Sequence, residues 1–493
     1  MKSRAKAQRR KLRRKEDASS LRLPLRLCAF ARDFFPKICG LLILLCFGIL
    51  PAHATTPTRV TISMPVPGEI RVEAELSRPT RSWSFRNAYA GVLGIAERIG
   101  DFRAQDASVK KIATGEFRSD LDATKISYNV KLSELRATDL PHVSWLAYDR
   151  GLLMFADLIP QDIESLSAQF TLPTGWTAES SITGANGRYE VSEPQKAVFF
   201  VGRSLRKISS TTDGLDVVLN GSWPFKEPEA LKAASDVMKK YLDLTGFKLP
   251  DKAAIMIAPL PVISNKSEWK AETRGSTVVL LANPQKFDFW RSRLTIILSH
   301  EMLHLWVPNS LKLEGDYDWF FEGFTQYTAL RTVQELGSVD FQETLNTLAR
   351  VYDVYISRPD DVSLIEASET RWTNPSSNVY IKGMLVAFLY DLKIRKESGG
   401  KLTLADRYRE LFSLGVAANT NGNEAIIALL DSAPAMSGFA KSYVENPTKL
   451  ELEQVLPAYG LTLDSSGKKS RLRVNRDLNA EQKQLLRSLG YRD

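Results

Sequence analysis

The chain has 493 residues, enough for two or three domains, and its 44% hydrophobic and 25% charged content is ordinary for a globular protein. Its net charge of +9 comes from the N-terminus, because residues 1–54 hold thirteen Lys and Arg against three Asp and Glu. The rest of the chain is close to neutral, which argues against a body that binds nucleic acid.

The N-terminal 54 residues carry the features of an export signal. A basic stretch over residues 1–15 precedes an apolar run over 38–50, and the small-x-small sequence "AHA" follows at 52–54. This order predicts a signal peptide over 1–54, because the apolar run is shorter than the roughly 20 residues that a membrane span needs. We therefore expect bacterial export to the periplasm or the medium, with an uncleaved inner-membrane anchor as the alternative. All three cysteines lie in this leader, so the mature chain would hold neither disulfides nor cysteine metal ligands.

Short apolar runs alternate with turn residues from about residue 59 to 213. The runs "RVTISMPV", "IRVEAEL", "KISYNVKL" and "KAVFFVG" are separated by Pro, Gly, Asp and Ser, a pattern typical of β-strands. They predict a mostly antiparallel, β-sandwich-like domain over 55–213. One interruption, "FRNAYAGVLGIAERIG" at 85–100, has the spacing of a helix.

The pattern changes at about residue 214. A capped amphipathic helix, "EPEALKAASDVMKKYLDLTG", ends at Gly246, and the strand candidates "AAIMIAPL" and "STVVLLA" follow. Beyond Trp319 nearly every segment has helical spacing, for example "FEGFTQYTALRTVQELG" and "VYIKGMLVAFLYDLKIRKES". The sequence thus predicts an α+β chain. An α/β segment and a helical C-terminal half would occupy 214–460, and a polar tail over 461–493 would hold a short helix at "NAEQKQLLRSLG".

Two of the four histidines in the chain lie four residues apart in "SHEMLHLW". Positions i and i+4 share one face of a helix, so His300 and His304 can bind one Zn²⁺ at about 2.0–2.1 Å. Glu301, between them, would point to the open side of the metal and could take a proton from a water there. An ordinary core helix with two incidental histidines is the alternative, and the scarcity of histidine argues against it.

A zinc hydrolase site needs a third protein ligand. His142 lies far upstream, and the metzincin spacing fails because Val307 and Ser310 stand where Gly and His are needed. A carboxylate is therefore expected, and the acidic side chains that follow the histidines are Glu314, Asp316, Asp318 and Glu322. Glu322 is favoured because it opens the helix "WFFEGFTQYTAL", whose apolar side can pack on the first helix and hold the carboxylate rigidly. A carboxylate that only stabilises the helix dipole is the alternative.

These residues resemble a known family. "HEMLHLW" is followed by "EGFTQY", with seventeen residues between His304 and Glu322. This pattern resembles the signature of gluzincin metallopeptidases and is most similar to the glycyl aminopeptidase family, relatives of the aminopeptidase N group. The segments "NVYIKGMLVAFLYDLKIRKES", "HVSWLAYDRGLLMFADLIPQ" and "FTLPTGWTAESSI" extend the resemblance over roughly residues 60 to 460. It implies a thermolysin-like zinc peptidase domain over 214–460 behind the β-rich N-terminal domain.

The resemblance also implies a role for each matching residue. His300, His304 and Glu322 would bind one Zn²⁺ per chain, and Glu301 would be the general base. Tyr380 would take the position of the tyrosine that stabilises the transition state. A phenol suits that role because it stays protonated at neutral pH and can donate to a developing oxyanion. Packing at the start of a helix is the alternative for Tyr380.

The chain departs from the family at the strand that would hold the substrate. Where the family has Gly-Leu-Glu-His, this sequence has "KAET", so Glu272 matches the glutamate while Lys270 and Thr273 replace glycine and histidine. Glu272 is the candidate anchor for a substrate amine, with a surface carboxylate on an edge strand as the alternative. Asn309 and Asp318 are candidates for side chains that orient the histidines. Too few residues follow position 460 for the C-terminal PDZ domain that many relatives carry.

The sequence therefore predicts an exported zinc metallopeptidase, and the resemblance implies an aminopeptidase. An endopeptidase of the same fold and a zinc-binding scaffold or peptide-binding protein without turnover are the alternatives. The expected partner is a peptide or protein substrate. Nucleic acid is not expected, and a membrane is expected only if the leader stays uncleaved.

Overall fold

The structure is a computed structural model that describes residues 57–133, 136–262, 268–284, 290–357, 362–373, 378–415 and 420–492. The predicted leader over 1–54 lies outside the described residues. Within these ranges, no helix combines the length and the apolar character needed to cross a membrane.

The N-terminal part is built from two sheets laid face to face. Its strands are β1 (Thr58–Val66), β2 (Glu69–Ser84), β3 (Ala88–Tyr89), β4 (Val92–Leu93), β5 (Ile99–Ala104), β6 (Val109–Ala113), β7 (Glu116–Lys131), β8 (Trp145–Leu146), β9 (Arg150–Met154), β10 (Leu166–Thr171), β11 (Trp176–Glu179), β12 (Gly184–Ala185), β13 (Arg188–Val191) and β14 (Val198–Arg203). The first sheet has the order β12-β13-β10-β1-β2-β7-β5, with β6 on β7, and β1 and β10 are its one parallel pair. The second sheet, β11-β14-β9-β8, is antiparallel. A four-residue helix, α1 (Phe155–Leu158), follows β9.

The burial pattern of single strands explains why these sheets stack. In β1, Val60 and Ile62 are buried in the core between the two sheets, and their neighbours face outward. β14 is buried on both faces, because Phe199 packs in that same core whereas Phe200 packs against the sheet of the second part of the chain. Burial on both faces fits the uninterrupted apolar run of β14. The expected α+β fold with a sheet-rich N-terminal domain is confirmed.

The segment over 85–100 is not the helix that its spacing indicates. It forms the β3–β4 hairpin and a single 3₁₀ turn, Ile95–Arg98, before β5 begins. Gly91 and Gly94 have φ angles of 78° and 76°, a left-handed conformation that interrupts a helix. The helical expectation is wrong because these two glycines form turns on either side of β4.

A five-stranded sheet forms the base of the second part. Its strands are β15 (Arg206–Ser209), β16 (Leu215–Leu219), β17 (Ala253–Pro259), β18 (Trp269–Arg274) and β19 (Thr277–Ala282), in the order β15-β16-β17-β19-β18. β16, β17 and β19 are parallel, and the edge strand β18 is antiparallel to β19. Helices α2 (Glu227–Thr245) and α3 (Trp290–Leu303) pack on one face through side chains such as Val237 and Leu298. α2 ends at Gly246, whose φ is 65°, as its sequence predicts.

Helices make up most of the C-terminal half. They are α4 (Thr325–Glu335), α5 (Phe341–Ser357), α6 (Leu364–Glu369), α7 (Ile381–Glu397), α8 (Leu404–Ser413), α9 (Gly422–Leu430), α10 (Leu452–Val455) and α11 (Ala480–Ser488), with π-helical turns at Trp319–Phe324 and Lys441–Glu445. Two pairs of short strands accompany them: β20 (Leu313–Glu314) with β21 (Thr420–Asn421), and β22 (Leu461–Asp464) with β23 (Arg471–Val474). Twelve of the 17 residues of α7 are buried, as its apolar run indicates.

The π-helical turn at Trp319–Phe324 touches α7 backbone to backbone. A Cβ atom built on Gly323 would lie 2.5 Å from the Cα of Gly383, and one built on Gly383 would lie 2.9 Å from the Cα of Gly323. Glu322 precedes Gly323, and Tyr380 stands at the start of α7. The contact between the two glycines therefore limits the distance between Glu322 and Tyr380, two of the predicted site residues.

Residues 461–492, predicted as a polar tail, fold onto the helical half. β22 and β23 form a hairpin, and α11 covers the short helix expected at "NAEQKQLLRSLG". Leu472 and Leu486 belong to the same core as α7. The domain boundary predicted at 213/214 lies between β15 and β16, which pair with each other.

Candidate metal centre

Two histidines at the C-terminal end of α3 face the same point. His300 lies in the last turn of α3, and His304 follows its final residue. The Nδ1 of His304 is 2.9 Å from the carbonyl oxygen of Val307, so a proton on Nδ1 leaves Nε2 free to bind a metal. The two Nε2 atoms are 3.2 Å apart. Within the described residues, the Nδ1 of His300 is buried and has no hydrogen-bond partner.

Glu322 completes a group of three candidate ligands. Its Oε2 lies 3.5 Å from the Nε2 of His300 and 3.6 Å from the Nε2 of His304. Ligand atoms at 2.0–2.1 Å around one tetrahedral zinc lie about 3.3 Å from each other, so these separations fit a single metal ion. The π-helical turn, held against α7 by Gly323, carries the carboxylate to this place. Glu314, Asp316 and Asp318, the other candidates for the third ligand, are not part of this cluster.

The electrostatics of the three side chains suit a bound cation. Burial alone would favour the neutral form of Glu322, but the two imidazoles outweigh it and hold the pKa of this carboxyl well below its usual range. Burial would likewise lower the pKa of His304, but Glu322 outweighs it and raises that pKa to about 9. An ionised carboxylate beside two imidazoles is a donor set that zinc accepts.

Glu301 lies beside the ligands in a closed environment. Its side chain is buried, and burial raises the pKa of the carboxyl. The hydroxyl of Thr273, on the edge strand β18, is 2.9 Å from Oε2 of Glu301 and 2.8 Å from its carbonyl oxygen. A carboxyl whose pKa is raised towards neutrality can accept a proton and return it, as a general base must. Thr273, noted in the sequence only as a departure from the family, thus contacts the candidate base.

Tyr380 is linked to the ligand group through Arg371. The Nη2 of Arg371 donates to Oε1 of Glu322 at 2.9 Å and also to the hydroxyl oxygen of Tyr380. The Nη1 of Arg371 donates to Asp318. Asp318 therefore binds Arg371 rather than a histidine, and Asn309 donates to the carbonyl of Gly275 at 2.9 Å. The expectation that Asp318 and Asn309 orient the histidines is wrong.

Glu272 is a partly buried carboxylate that receives two hydrogen bonds. The hydroxyl of Tyr89, in the β3–β4 hairpin, donates to Oε1 at 2.6 Å, and the Nδ1 of His142 is 2.6 Å from Oε2. Burial would raise the pKa of Glu272, but His142 and Tyr89 outweigh it and lower that pKa. Lys270, two residues away on β18, pairs with Glu268 at 3.4 Å. Glu272 is thus not the surface carboxylate considered as its alternative.

The sequence assigned no role at this site to four residues that belong to it: Tyr89, His142, Thr273 and Arg371. Two of them could be noticed in the sequence, because histidine is rare in this chain and Thr273 departs from the family's pattern next to Glu272. Neither observation predicted the contact of His142 with Glu272 or of Thr273 with Glu301. Arg371 follows α6 in a stretch without any motif. The hydrogen bonds that define these roles join distant parts of the chain.

No protein-family model and no curated protein matches this chain by sequence. Among solved structures, it is similar to an aminopeptidase N family protein from Idiomarina loihiensis, with a TM-score of 0.68 and 17% identity over 84% of this chain and 81% of that one. It is also similar to an M1 zinc metallopeptidase from Deinococcus radiodurans, with a TM-score of 0.53 and 14% identity over 81% of this chain and 95% of that one. A variant of the Deinococcus protein bound to the peptide Tyr-Ser-Ala has a TM-score of 0.52 and 14% identity, with the same coverage. At these identities the likeness is one of fold.

Proposed function

We propose that this chain is a zinc-dependent metallopeptidase of the gluzincin type that acts as an aminopeptidase. The observation that carries the proposal is the meeting of His300, His304 and Glu322 at separations that fit one zinc, with Glu301 buried beside them. The fold shared with an aminopeptidase N family protein and an M1 zinc metallopeptidase supports it. Zinc in this group supplies Lewis-acid polarisation of a peptide carbonyl.

Glu301 would serve as the proton carrier of the reaction. As a water attacks the scissile carbonyl, the carboxylate accepts a proton from it and then returns this proton to the leaving amine. Burial raises the pKa of Glu301, which makes its carboxylate a stronger base and favours the step in which it accepts the proton. The Thr273 hydroxyl at 2.9 Å holds the carboxylate in one orientation.

Tyr380 would stabilise the negative charge that develops on the carbonyl oxygen. Burial raises the pKa of its phenol, so the hydroxyl keeps its proton at neutral pH and can donate it to an oxyanion. A donor placed in advance gains strength in a site that excludes water. Removal of such a donor lowers kcat by about 10²- to 10³-fold in other hydrolases.

Glu272 supports the assignment as an aminopeptidase. It is a partly buried carboxylate that His142 and Tyr89 keep ionised. The charge of Glu272 acts on Glu301 and contributes to the raised pKa of that carboxyl, so the two carboxylates lie near each other. A negative charge at this place is suited to the ammonium of a peptide N-terminus. The Deinococcus variant bound to Tyr-Ser-Ala is consistent with a peptide ligand in this fold.

One observation favours an endopeptidase as the second candidate. Both oxygens of Glu272 already have partners, Tyr89 and His142, at 2.6 Å, so a substrate amine would have to share this carboxylate with them. A peptide without a free amine would not need to bind Glu272. A zinc-binding scaffold without turnover is the third possibility, and the presence of Glu301 and Tyr380 at the metal group argues against it.

The remaining parts of the proposal concern the whole chain. We infer a leader over 1–54 that directs export to the periplasm or the medium, with inner-membrane anchoring as the alternative. A β-rich domain over 55–213, a catalytic domain over 214–460 and a C-terminal segment over 461–493 would follow. The partner would be a peptide or protein substrate rather than nucleic acid.

Hydrolysis assays decide among these functions. Aminoacyl fluorogenic amides and internally quenched peptides with blocked N-termini are offered to the zinc-loaded wild type and to Glu301→Gln. We expect cleavage of substrates with a free amine, and loss of that activity in Glu301→Gln with one zinc per chain retained. Cleavage of blocked peptides alone would establish the endopeptidase. One bound zinc with no cleavage of any substrate would establish the scaffold.

A further inference from the structure

Arg371 lies between the candidate metal ligand and the candidate oxyanion donor, and no step proposed above uses it. Its backbone N–H bonds to the carbonyl of Ser368 at 3.2 Å, just after α6. Its side chain is 10% exposed and stacks over the ring of Trp372, with 4.4 Å between the guanidinium carbon and the ring centre. A cation buried to this degree needs polar partners, and Arg371 has three: Asp318, Glu322 and Tyr380.

The first consequence concerns the metal-facing carboxylate. Arg371 occupies Oε1 of Glu322 at 2.9 Å, while Oε2 faces the Nε2 atoms of the two histidines at 3.5 and 3.6 Å. A carboxylate bound in this way offers one oxygen to a metal and cannot turn freely about its last bond. Asp318 accepts from the other end of the guanidinium, so the group that restrains Glu322 is itself held in place.

The second consequence concerns the direction of the Tyr380 hydroxyl. A guanidinium has five N–H donors and no acceptor, so in its hydrogen bond with Arg371 the Tyr380 oxygen must accept. The phenol has a single proton, and this contact leaves that proton available for another acceptor. Without Arg371 the hydroxyl could donate to a neighbouring carboxylate instead, since Asp318 and Glu322 both lie close to it.

We propose that Arg371 is a positioning residue that serves both halves of the site: it limits Glu322 to one metal-facing oxygen and reserves the Tyr380 proton for the substrate carbonyl. The tyrosine half rests on the proposed peptidase function. The metal half stands on zinc binding alone. Neither role requires Arg371 to touch the substrate.

The test replaces the guanidinium and measures zinc binding separately from catalysis. Arg371→Met removes every donor, and Arg371→Lys keeps the charge on a single ammonium that cannot bridge three partners. Arg395→Met is the matched control, because Arg395 makes a buried ion pair with Asp391 at 2.9 Å. Arg395 lies fifteen residues along α7 from Tyr380, about 22 Å at the rise of a helix.

For the metal half, the readout is the dissociation constant of zinc, measured by chelator competition on each folded variant. We expect it to rise about 10-fold or more in both Arg371 variants, the usual effect of losing a partner of a metal ligand, and to change less than twofold in Arg395→Met. An Arg371→Met protein that binds zinc within twofold of the wild type would overturn this half. Where Arg371→Met does not fold, as judged by circular dichroism, the Arg371→Lys values decide.

For the tyrosine half, the readout is kcat at saturating zinc. We expect Arg371→Met to lower kcat about 10²- to 10³-fold with little change in KM, as for the loss of an oxyanion donor. In a Tyr380→Phe background the same change should lower kcat less than about tenfold, because the hydroxyl it positions is already gone. An undiminished loss in that background would overturn this half. A wild type that binds zinc but cleaves no peptide would refute the proposed function. The zinc measurements would still decide whether Arg371 positions Glu322.

Discussion

Replacing Gly323 by alanine tests the backbone contact that brings the π-helical turn against α7. A Cβ at position 323 would lie 2.5 Å from Cα and 2.7 Å from C of Gly383, and 2.8 Å from the carbonyl oxygen of Val379. Carbon atoms pack at about 3.5–4.0 Å, so the two segments must separate by about 1 Å. All three obstructing atoms belong to the backbone and cannot rotate away.

The size of the effect follows from two opposing contributions. Overpacking of a tight contact destabilises a protein by about 1–3 kcal/mol, and three backbone clashes place Gly323→Ala at the upper end. Alanine is favoured over glycine inside a helix by about 1 kcal/mol. We therefore expect a net loss of about 2 kcal/mol. Because Glu322 is the adjacent residue, we also expect about a 10-fold weaker affinity for zinc.

Urea denaturation of the metal-free protein, prepared with a chelator, measures the free energy of unfolding. Competition with a chelator measures the affinity for zinc. Gly100→Ala is the matched control: Gly100 lies in β5, and no atom lies within 4 Å of a Cβ built on it. That variant should stay within about 1 kcal/mol of the wild type. If Gly323→Ala proved as stable as the wild type or more stable, the helix propensity of alanine would outweigh the clash and the reasoning would be refuted.

Three other changes test neighbouring parts of the structure. Tyr89→Phe removes the hydroxyl that donates to Glu272 at 2.6 Å. It should raise KM about tenfold for substrates with a free amine only, because one hydrogen bond to a charged group contributes about this much. An equal rise for blocked peptides would contradict that role. Burial would raise the pKa of Asp157, but Arg86, Arg98 and Arg274 outweigh it and lower that pKa. The stabilisation is therefore fully present above about pH 4 and is lost as the pH falls through the lowered pKa. Asp157→Asn should therefore cost about 3 kcal/mol or more at pH 7, and this cost should become smaller as the pH falls below about 4 in thermal denaturation. A cost that does not change with pH would show that the ionisation of Asp157 is irrelevant. Zinc at 1,000 times its dissociation constant should raise the free energy of unfolding of the metal-free wild type by about 4 kcal/mol. In Glu322→Ala the same zinc concentration should give much less stabilisation.

Local patterns in the sequence predicted many of the regular elements correctly. The helix that ends at Gly246, the buried run of β14 and the long apolar helix α7 all lie where their spacing indicates, because helix and strand periods are properties of neighbouring residues. The segment over 85–100 failed for a local reason as well. Its apolar spacing favours a helix, but the positive φ angles of Gly91 and Gly94 turn the chain back on itself.

The three candidate metal ligands could be predicted from the sequence for two reasons. His300 and His304 are four residues apart, which is enough to put both on one face of a helix, and the scarcity of histidine left a carboxylate as the third candidate. The structure brings Glu322 to them and leaves Glu314 and Asp316 outside the cluster. That choice depended on helix packing, and Gly323 and Gly383 have no pattern that marks them as a contact.

The sequence by itself determined the local elements and the residue types that can bind zinc and move a proton. Only the tertiary structure decided what surrounds them: Tyr89 reaches Glu272 from 183 positions away, Arg371 reaches Glu322 from 49, and Thr273 reaches Glu301 from 28. Contacts at such separations leave no periodic pattern in the chain. They arise when an edge strand, a hairpin of the β-rich part and the helical half pack together, and the packing selects which polar groups meet.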